Sequence, residues 1–488
     1  LHIHLFILKN IPIDMKIIPA TLLFLLVFTA SGSFSQNSIT GTWKGKIAGQ
    51  VRLIFHFDTT KQGKLFGTLD SPDQGVNGLQ LSTVSFTGDS LSVEIDVAHA
   101  RFHAGFTSDS TLSGTWMQGL AKIPFQVTRE STKSNIIIPK RPQTPVPPFT
   151  YNSLDVEYDN ANKSVHFGAT LTYPKSGGPF PVAIMITGSG LQDRDETIFY
   201  HKPFAVIADY LTKSGYAVLR VDDRTMGKST GDVQHATSAE FAKDVLAGIQ
   251  FLKTRTEIDS NKIGLIGHSE GGIIAPIVYS QYPHLKFIIS LAGSGISGAE
   301  ILLLQQTEPI KQTDISKQAF TAFYNLTKST LFYIHDHAAE PDSLILKNLK
   351  LHYQEWKNAQ PDSIINLLNE KGINSALFNK QISVELQEWF KFFIATDPSQ
   401  FWQRVKCPVL ALNGSKDLQV FPDQNTQAID LALKKAGNKK YSIQIIPDLN
   451  HLFQHCKTCS LTEYGELEET FAPEALEIMG KWLKENVH

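Results

Sequence analysis

The chain has 488 residues, 42% of them hydrophobic and 19% charged, and a formal net charge of −2. This is globular composition with enough material for two or three domains and a large core. No basic run is long enough to suggest a nucleic-acid groove, so charge points to no polyanionic partner.

In chain order, Met15-Lys16 leads into the apolar run IIPATLLFLLVFTA and then the small and polar residues SGSFSQ. A positive start, a short apolar core and a small-residue exit predict a secretory signal peptide over residues 15–35, cleaved after Ser35. The product is then exported, periplasmic or extracellular, and residues 1–14 are an upstream extension. The apolar run is short for a membrane span, so no stable span is expected after signal removal.

Residues 36–130 read as an all-β domain. In VRLIFHFD, Val51, Leu53, Phe55 and Phe57 alternate with polar residues; in LSVEIDV, Leu91, Val93, Ile95 and Val97 do the same. Period-two alternation marks half-buried strands. About eight such segments are split by turn signals such as KQGK and TGDS. GTW recurs at Gly41–Trp43 and Gly114–Trp116, which implies two similar strand environments in a barrel or sandwich. Residues 131–149 carry five prolines and read as a stiff interdomain linker.

From residue 150 to 488, strand-like runs alternate with helical ones: PVAIMIT, a helix around 202–214, YAVLRVD, a helix around 237–254, KIGLIG, a helix from Glu270, and KFIISLAG. Short apolar runs between amphipathic helices imply a parallel sheet covered on both faces. The rhythm lapses at about 295–400, a helical and partly aromatic stretch that reads as a cap over the carboxyl ends of the strands. It resumes at CPVLALNGSKD and YSIQIIPDLNH, and a helix closes the chain.

Within this domain, Gly267-His268-Ser269-Glu270-Gly271 fits G-x-S-x-G, with an apolar strand before it and a small-residue helix after. Glycines flank the serine because the turn leaves no room for side chains. A serine nucleophile needs a base, and the base an orienting acid. Asp417 follows one late strand and His451 the next, in the chain order such a site requires. Asp423, a helix N-cap candidate, and Asp448 are rival acids; His455 is the rival base, and His268 is expected to point into packing. The oxyanion needs N–H donors. The expected ones are Glu270, after the nucleophile, and Ser189 with Gly190 next, in the loop TGSGLQDRDET. Asp193, Arg194, Asp195 and Arg224 lie on loops at the same strand ends, where they pair with one another, support the loops or touch substrate. Of the three cysteines, Cys407 reads as a packing residue. Cys456 and Cys459 could form a local disulfide or, with His451 and His455, ligate zinc.

Together TGSGLQDRDET, DDRTMGKSTGD, GHSEGG and NHLFQ resemble motifs of the α/β-hydrolase superfamily, and within it bacterial serine esterases with an extra N-terminal domain, related to serine aminopeptidase-like hydrolases. The resemblance covers roughly residues 150–488. It implies Ser269 as nucleophile, Asp417 as acid and His451 as base. Thr225 stands where the group's D-x-R-G-x-G-x-S run has glycine. The expected fold is therefore α/β, an α/β-hydrolase with a helical cap behind an all-β domain. The expected function is cleavage of small-molecule carboxylic esters through an acyl-enzyme, with no metal or organic cofactor. Two other readings stay open: a serine exopeptidase acting on short peptides, and a lipid- or glycan-binding protein working through the β-domain.

Overall fold

The computed structural model describes residues 39–47, 51–60, 63–72, 76–95, 100–118, 121–130, 140–461 and 463–487. The expected signal peptide, Val97 and the first half of the proline-rich stretch lie outside the described residues. The chain divides into two compact units, one holding the first nine strands and one holding the chain from residue 137 onward.

The first unit is β1 (Gly41–Ile47), β2 (Val51–Thr59), β3 (Leu65–Ser71), β4 (Val76–Gln80), β5 (Thr83–Thr87), β6 (Ser90–Ile95), β7 (Ala100–Ser108), β8 (Thr111–Gln118) and β9 (Ala121–Arg129). They form one antiparallel sheet in the order β4-β3-β2-β1-β9-β8-β7-β6-β5. This is a half-barrel rather than two packed sheets. Alternation places Val51, Leu53, Phe55 and Phe57 in its core with Leu91, Val93 and Ile95. The two GTW tryptophans, Trp43 and Trp116, are both buried there. Gly114 is required beside the second: a Cβ would lie 1.9 Å from the His103 carbonyl oxygen. Phe55, Phe102 and Phe125 pack with ring centroids 5.6 and 5.0 Å apart, so the sheet's own aromatic rings fill the interior.

The second unit runs β10 (Asn152–Asp159), β11 (His166–Tyr173), β12 (Phe180–Ile186), α1 (Pro203–Lys213), β13 (Ala217–Val221), α2 (Ser238–Leu252), β14 (Ile258–His268), α3 (Gly271–Gln281) and β15 (Ile288–Leu291). Then come the cap helices α4 (Gly298–Lys311), α5 (Lys317–His337), α6 (Asp342–Asn358), α7 (Asp362–Glu370), α8 (Ser375–Glu385), α9 (Glu388–Ala395) and α10 (Ser399–Trp402). β16 (Val409–Gly414), α11 (Pro422–Ala436), β17 (Tyr441–Ile446) and α12 (Pro473–Asn486) complete the unit. The sheet order is β10-β11-β13-β12-β14-β15-β16-β17. β11 is antiparallel to both neighbours, and the strands from β13 to β17 are parallel. This is the α/β-hydrolase fold. The sequence reading began the sheet at β12 and missed β10 and β11.

Burial on both faces explains the apolar runs. Along β12, Val182, Ile184 and Ile186 join a core with α2 and α3, whereas Ala183 and Met185 join one with α1 and α12. Thr237 starts α2 with a capping box to Glu240. Buried cap residues Leu326, Ile345 and Phe390 extend the first of these cores. The second half of the proline-rich stretch is fixed to this unit. Arg141 donates to the carbonyls of Phe199, Gly465 and Leu467, and Gln143 bonds the backbone at Thr470 and Phe471. Among the described residues, no helix is long and apolar enough to cross a membrane.

Candidate active site

β14 ends at His268 and α3 begins at Gly271, so Ser269 sits on the turn between them. Its φ is 53°, the left-handed region that an L-residue enters only under constraint. The constraint is visible around it. Ser269 N–H donates to the Leu291 carbonyl at 2.8 Å. A Cβ on Gly267 would lie 2.1 Å from the Gly271 carbonyl oxygen, and one on Gly271 2.2 Å from that of Ile186. Both glycines are therefore steric necessities of the turn.

Asp417 and His451 meet at the ends of β16 and β17. His451 Nδ1 donates to Asp417 Oδ2 at 2.7 Å, with both residues buried. The other carboxylate oxygen accepts the N–H groups of Gln419 and Val420 at 2.8 and 2.9 Å, which fixes its plane. Asn450, fully buried, folds the base's loop by accepting from the N–H groups of Leu452 and Gln454. Gly414 permits the close approach: a Cβ there would lie 2.3 Å from the Leu449 carbonyl oxygen. With Nδ1–H committed to Asp417, the His451 Nε2 lone pair is left for a proton. Among the described residues, no hydrogen bond joins Ser269 Oγ to that nitrogen.

The rivals fall away by position. Asp448 pairs with Lys416 at the surface, and His455 with Glu469 and Glu474. Asp423 is exposed in the first turn of α11, whose N-cap is Phe421. Cys456 and Cys459 are joined as a disulfide, and Cys407 is buried. Among the described residues, no group of three or more His, Cys, Asp or Glu side chains could hold a metal ion.

Ser189 lies in the loop after β12, and Glu270 is the residue before α3. Gly190 takes φ 104°, a conformation that favours glycine. Gly188 N–H is spent on Glu196 Oε1 at 2.7 Å. The Glu270 side chain accepts from Ser238 Oγ at 2.6 Å and, from the cap, Trp389 Nε1 at 2.9 Å, and the Ser189 side chain also hydrogen-bonds it. Burial raises its pKa. Burial also pushes Asp223 well above the usual carboxylate range; it accepts from Thr187 Oγ1 and the Gln192 N–H, both at 2.8 Å.

The four charged loop residues are occupied within the protein. Asp193 accepts from Thr197 and the Asp195 N–H. Arg194 forks onto Asp222 and reaches Asp155 at 3.0 Å; Asp195 holds Arg220 and Lys202. Arg224 grips Asp244 at 2.6 and 2.8 Å. Thr225 adopts φ 68°, the left-handed conformation its glycine counterpart takes without cost.

His268 does not simply fill packing space, as the sequence suggested. Its Nδ1 meets Glu196 Oε1 at 2.9 Å and its Nε2 the His451 carbonyl oxygen at 3.0 Å. Glu196 escaped the sequence reading because its partner lies 72 positions away.

Residues 163–446 match the family described as X-Pro dipeptidyl-peptidase (S15 family), a span that includes Ser269 and Asp417 and ends just before His451. An esterase of Thermotoga maritima, EstD, is 25% identical over 282 residues, 58% of this chain and 57% of its own length. The chain thus spans little more than half of that relative. An acyl transferase of Photorhabdus luminescens is 29% identical over 133 residues, 27% of this chain and 39% of its own. The solved structure of an esterase from Pyrococcus furiosus covers 73% of this chain and 100% of its own at 16% identity, with a TM-score of 0.41.

Proposed function

The chain belongs to the X-Pro dipeptidyl-peptidase (S15) family, and from that premise we propose that it is a serine hydrolase that cleaves small-molecule carboxylic esters through an acyl-enzyme. The observation that carries the reading is the buried 2.7 Å contact of His451 Nδ1 with Asp417, at the same strand ends as a strained Ser269. Similarity to an esterase supports the ester preference.

In the proposed reaction, His451 Nε2 takes the Ser269 proton as Oγ attacks the ester carbonyl. Asp417 holds the ring tautomer and stabilises the imidazolium. The oxyanion rests on the N–H groups of Glu270 and Ser189, close to the N-terminus of α3. His451 returns the proton to the leaving alcohol. It then takes one from water, which attacks the acyl carbonyl, and gives that proton to Ser269 Oγ as the acyl–oxygen bond breaks, freeing the acid and restoring Ser269 and His451.

The family description favours a second reading, an exopeptidase that cuts amides with the same groups. Parallel assays on p-nitrophenyl esters and Xaa-Pro-p-nitroanilides separate the two. We expect turnover of short and medium acyl esters, lost at least about 10³-fold in Ser269→Ala. Efficient anilide cleavage with no ester turnover would transfer the assignment to the peptidase. We also infer export, supported by the pattern of Met15–Ser35 and by the Cys456–Cys459 disulfide, which suits an oxidising compartment.

A further inference from the structure

The ring nitrogens of His268 face two acceptors. Nδ1 meets a carboxylate oxygen of Glu196, and Nε2 meets the backbone carbonyl of His451. A neutral imidazole carries one N–H and would leave one of these contacts without a donor; a doubly protonated ring satisfies both. The same Glu196 oxygen also accepts the Gly188 N–H. Gly188 is wedged among these groups, its Cβ position 3.2 Å from Glu196 Oε1, 3.2 Å from Ser269 Cβ and 3.5 Å from His268 Nδ1. One buried pair therefore touches the turn of the nucleophile, the loop of the oxyanion donors and the backbone of the base.

We propose that His268, held as an imidazolium between Glu196 and the His451 carbonyl, is a positioning residue that locks the base and the oxyanion loop into one unit. The inference rests on the serine-hydrolase reading above. The titratable groups facing His268 are Glu196 from the β12–α1 loop, Asp417 from the end of β16 and the His451 ring, whose centroid lies 4.9 Å away. Asp223, after β13, interacts electrostatically with Glu196. Burial works against the charge on His268, but the charge and hydrogen bond of Glu196, the His451 carbonyl and the charge of Asp417 outweigh it and raise its pKa.

The test compares kcat, KM and pH profile for wild type, Glu196→Gln, Glu196→Asp and His268→Gln on one p-nitrophenyl ester. Glu196→Gln keeps an acceptor oxygen but removes the charge. His268 then loses its second proton at lower pH, and turnover falls as pH rises through a range where the wild type stays level. Glu196→Asp, which keeps the charge, restores the level profile. His268→Gln lowers kcat about 10- to 100-fold with KM nearly unchanged. Wild-type kcat and pH profile in both Glu196→Gln and His268→Gln would overturn the proposal. Should those variants fail to fold, wild-type protein with 15N-labelled histidine decides: a buried imidazolium with two slowly exchanging ring N–H protons at pH 8 is expected, and its absence refutes the pair. Turnover that survives Ser269→Ala would instead refute the serine-hydrolase reading, a result distinct from either.

Discussion

Asp417 uses every acceptor position it has: two backbone N–H groups on one oxygen, and His451 with Asn413 Nδ2 on the other. A carboxylate so placed can hold the imidazole in one tautomer, which is the service the proposed mechanism asks of it. Asp417→Asn keeps the shape but presents an amide that favours the wrong tautomer. We expect kcat to fall about 10³- to 10⁴-fold with KM little changed, read from initial rates on a p-nitrophenyl ester. A loss below tenfold would remove Asp417 from the mechanism. The positions of Ser269, Asp417 and His451 at strand ends were legible because each follows a short apolar run, a local signal. The His268–Glu196 pair was not, because only tertiary folding brings the two together, and a histidine beside a glycine turn carries no mark of its partner.

At the level of elements, strands and helices of the main sheet could be read from periodicity, since core contacts on both faces write continuous apolar runs. β10 escaped because, as a sheet-edge strand, it lacks the continuous apolar run of the inner strands: Leu154, Val156 and Tyr158 alternate with the exposed Asp155, Glu157 and Asp159. The cap could be recognised as helical, but not its internal polar contacts. One of these is Glu385 in α8, fully buried. Its Oε1 accepts from Gln306 on α4 and Gln381, while Oε2 has no partner among the described residues. Burial pushes its carboxyl up from 4.5 to about 7, against the opposing hydrogen bonds of the two glutamines. The folded state therefore holds this proton more tightly than the unfolded chain. Its stabilising contribution is complete below pH 4.5 and is lost as pH rises through 7, at most about 3 kcal/mol over that window. Glu385→Gln mimics the protonated form. Its unfolding midpoint should match wild type at pH 4.5 and exceed it at pH 8; parallel curves would show that Glu385 stays charged throughout.

At the scale of the whole molecule, every residue of the candidate site belongs to the second unit, and Arg141 and Gln143 tie the start of that unit to its own loops. The half-barrel is a separate core filled by its own aromatic side chains, which gives no support to an acyl-binding interior. A chain starting at residue 140 should thus fold and hydrolyse p-nitrophenyl esters within about twofold of the full-length rate, since none of the proposed catalytic groups is removed. Loss of turnover in a folded truncation would make the half-barrel part of the active enzyme. The central claim, that Ser269 is the acyl-accepting nucleophile, is met most directly by labelling the full chain with a fluorophosphonate and mapping the adduct by mass spectrometry. The account predicts a single adduct on Ser269 that disappears in His451→Ala. An unlabelled Ser269 in protein that still turns over esters, or an adduct on another serine, would contradict it.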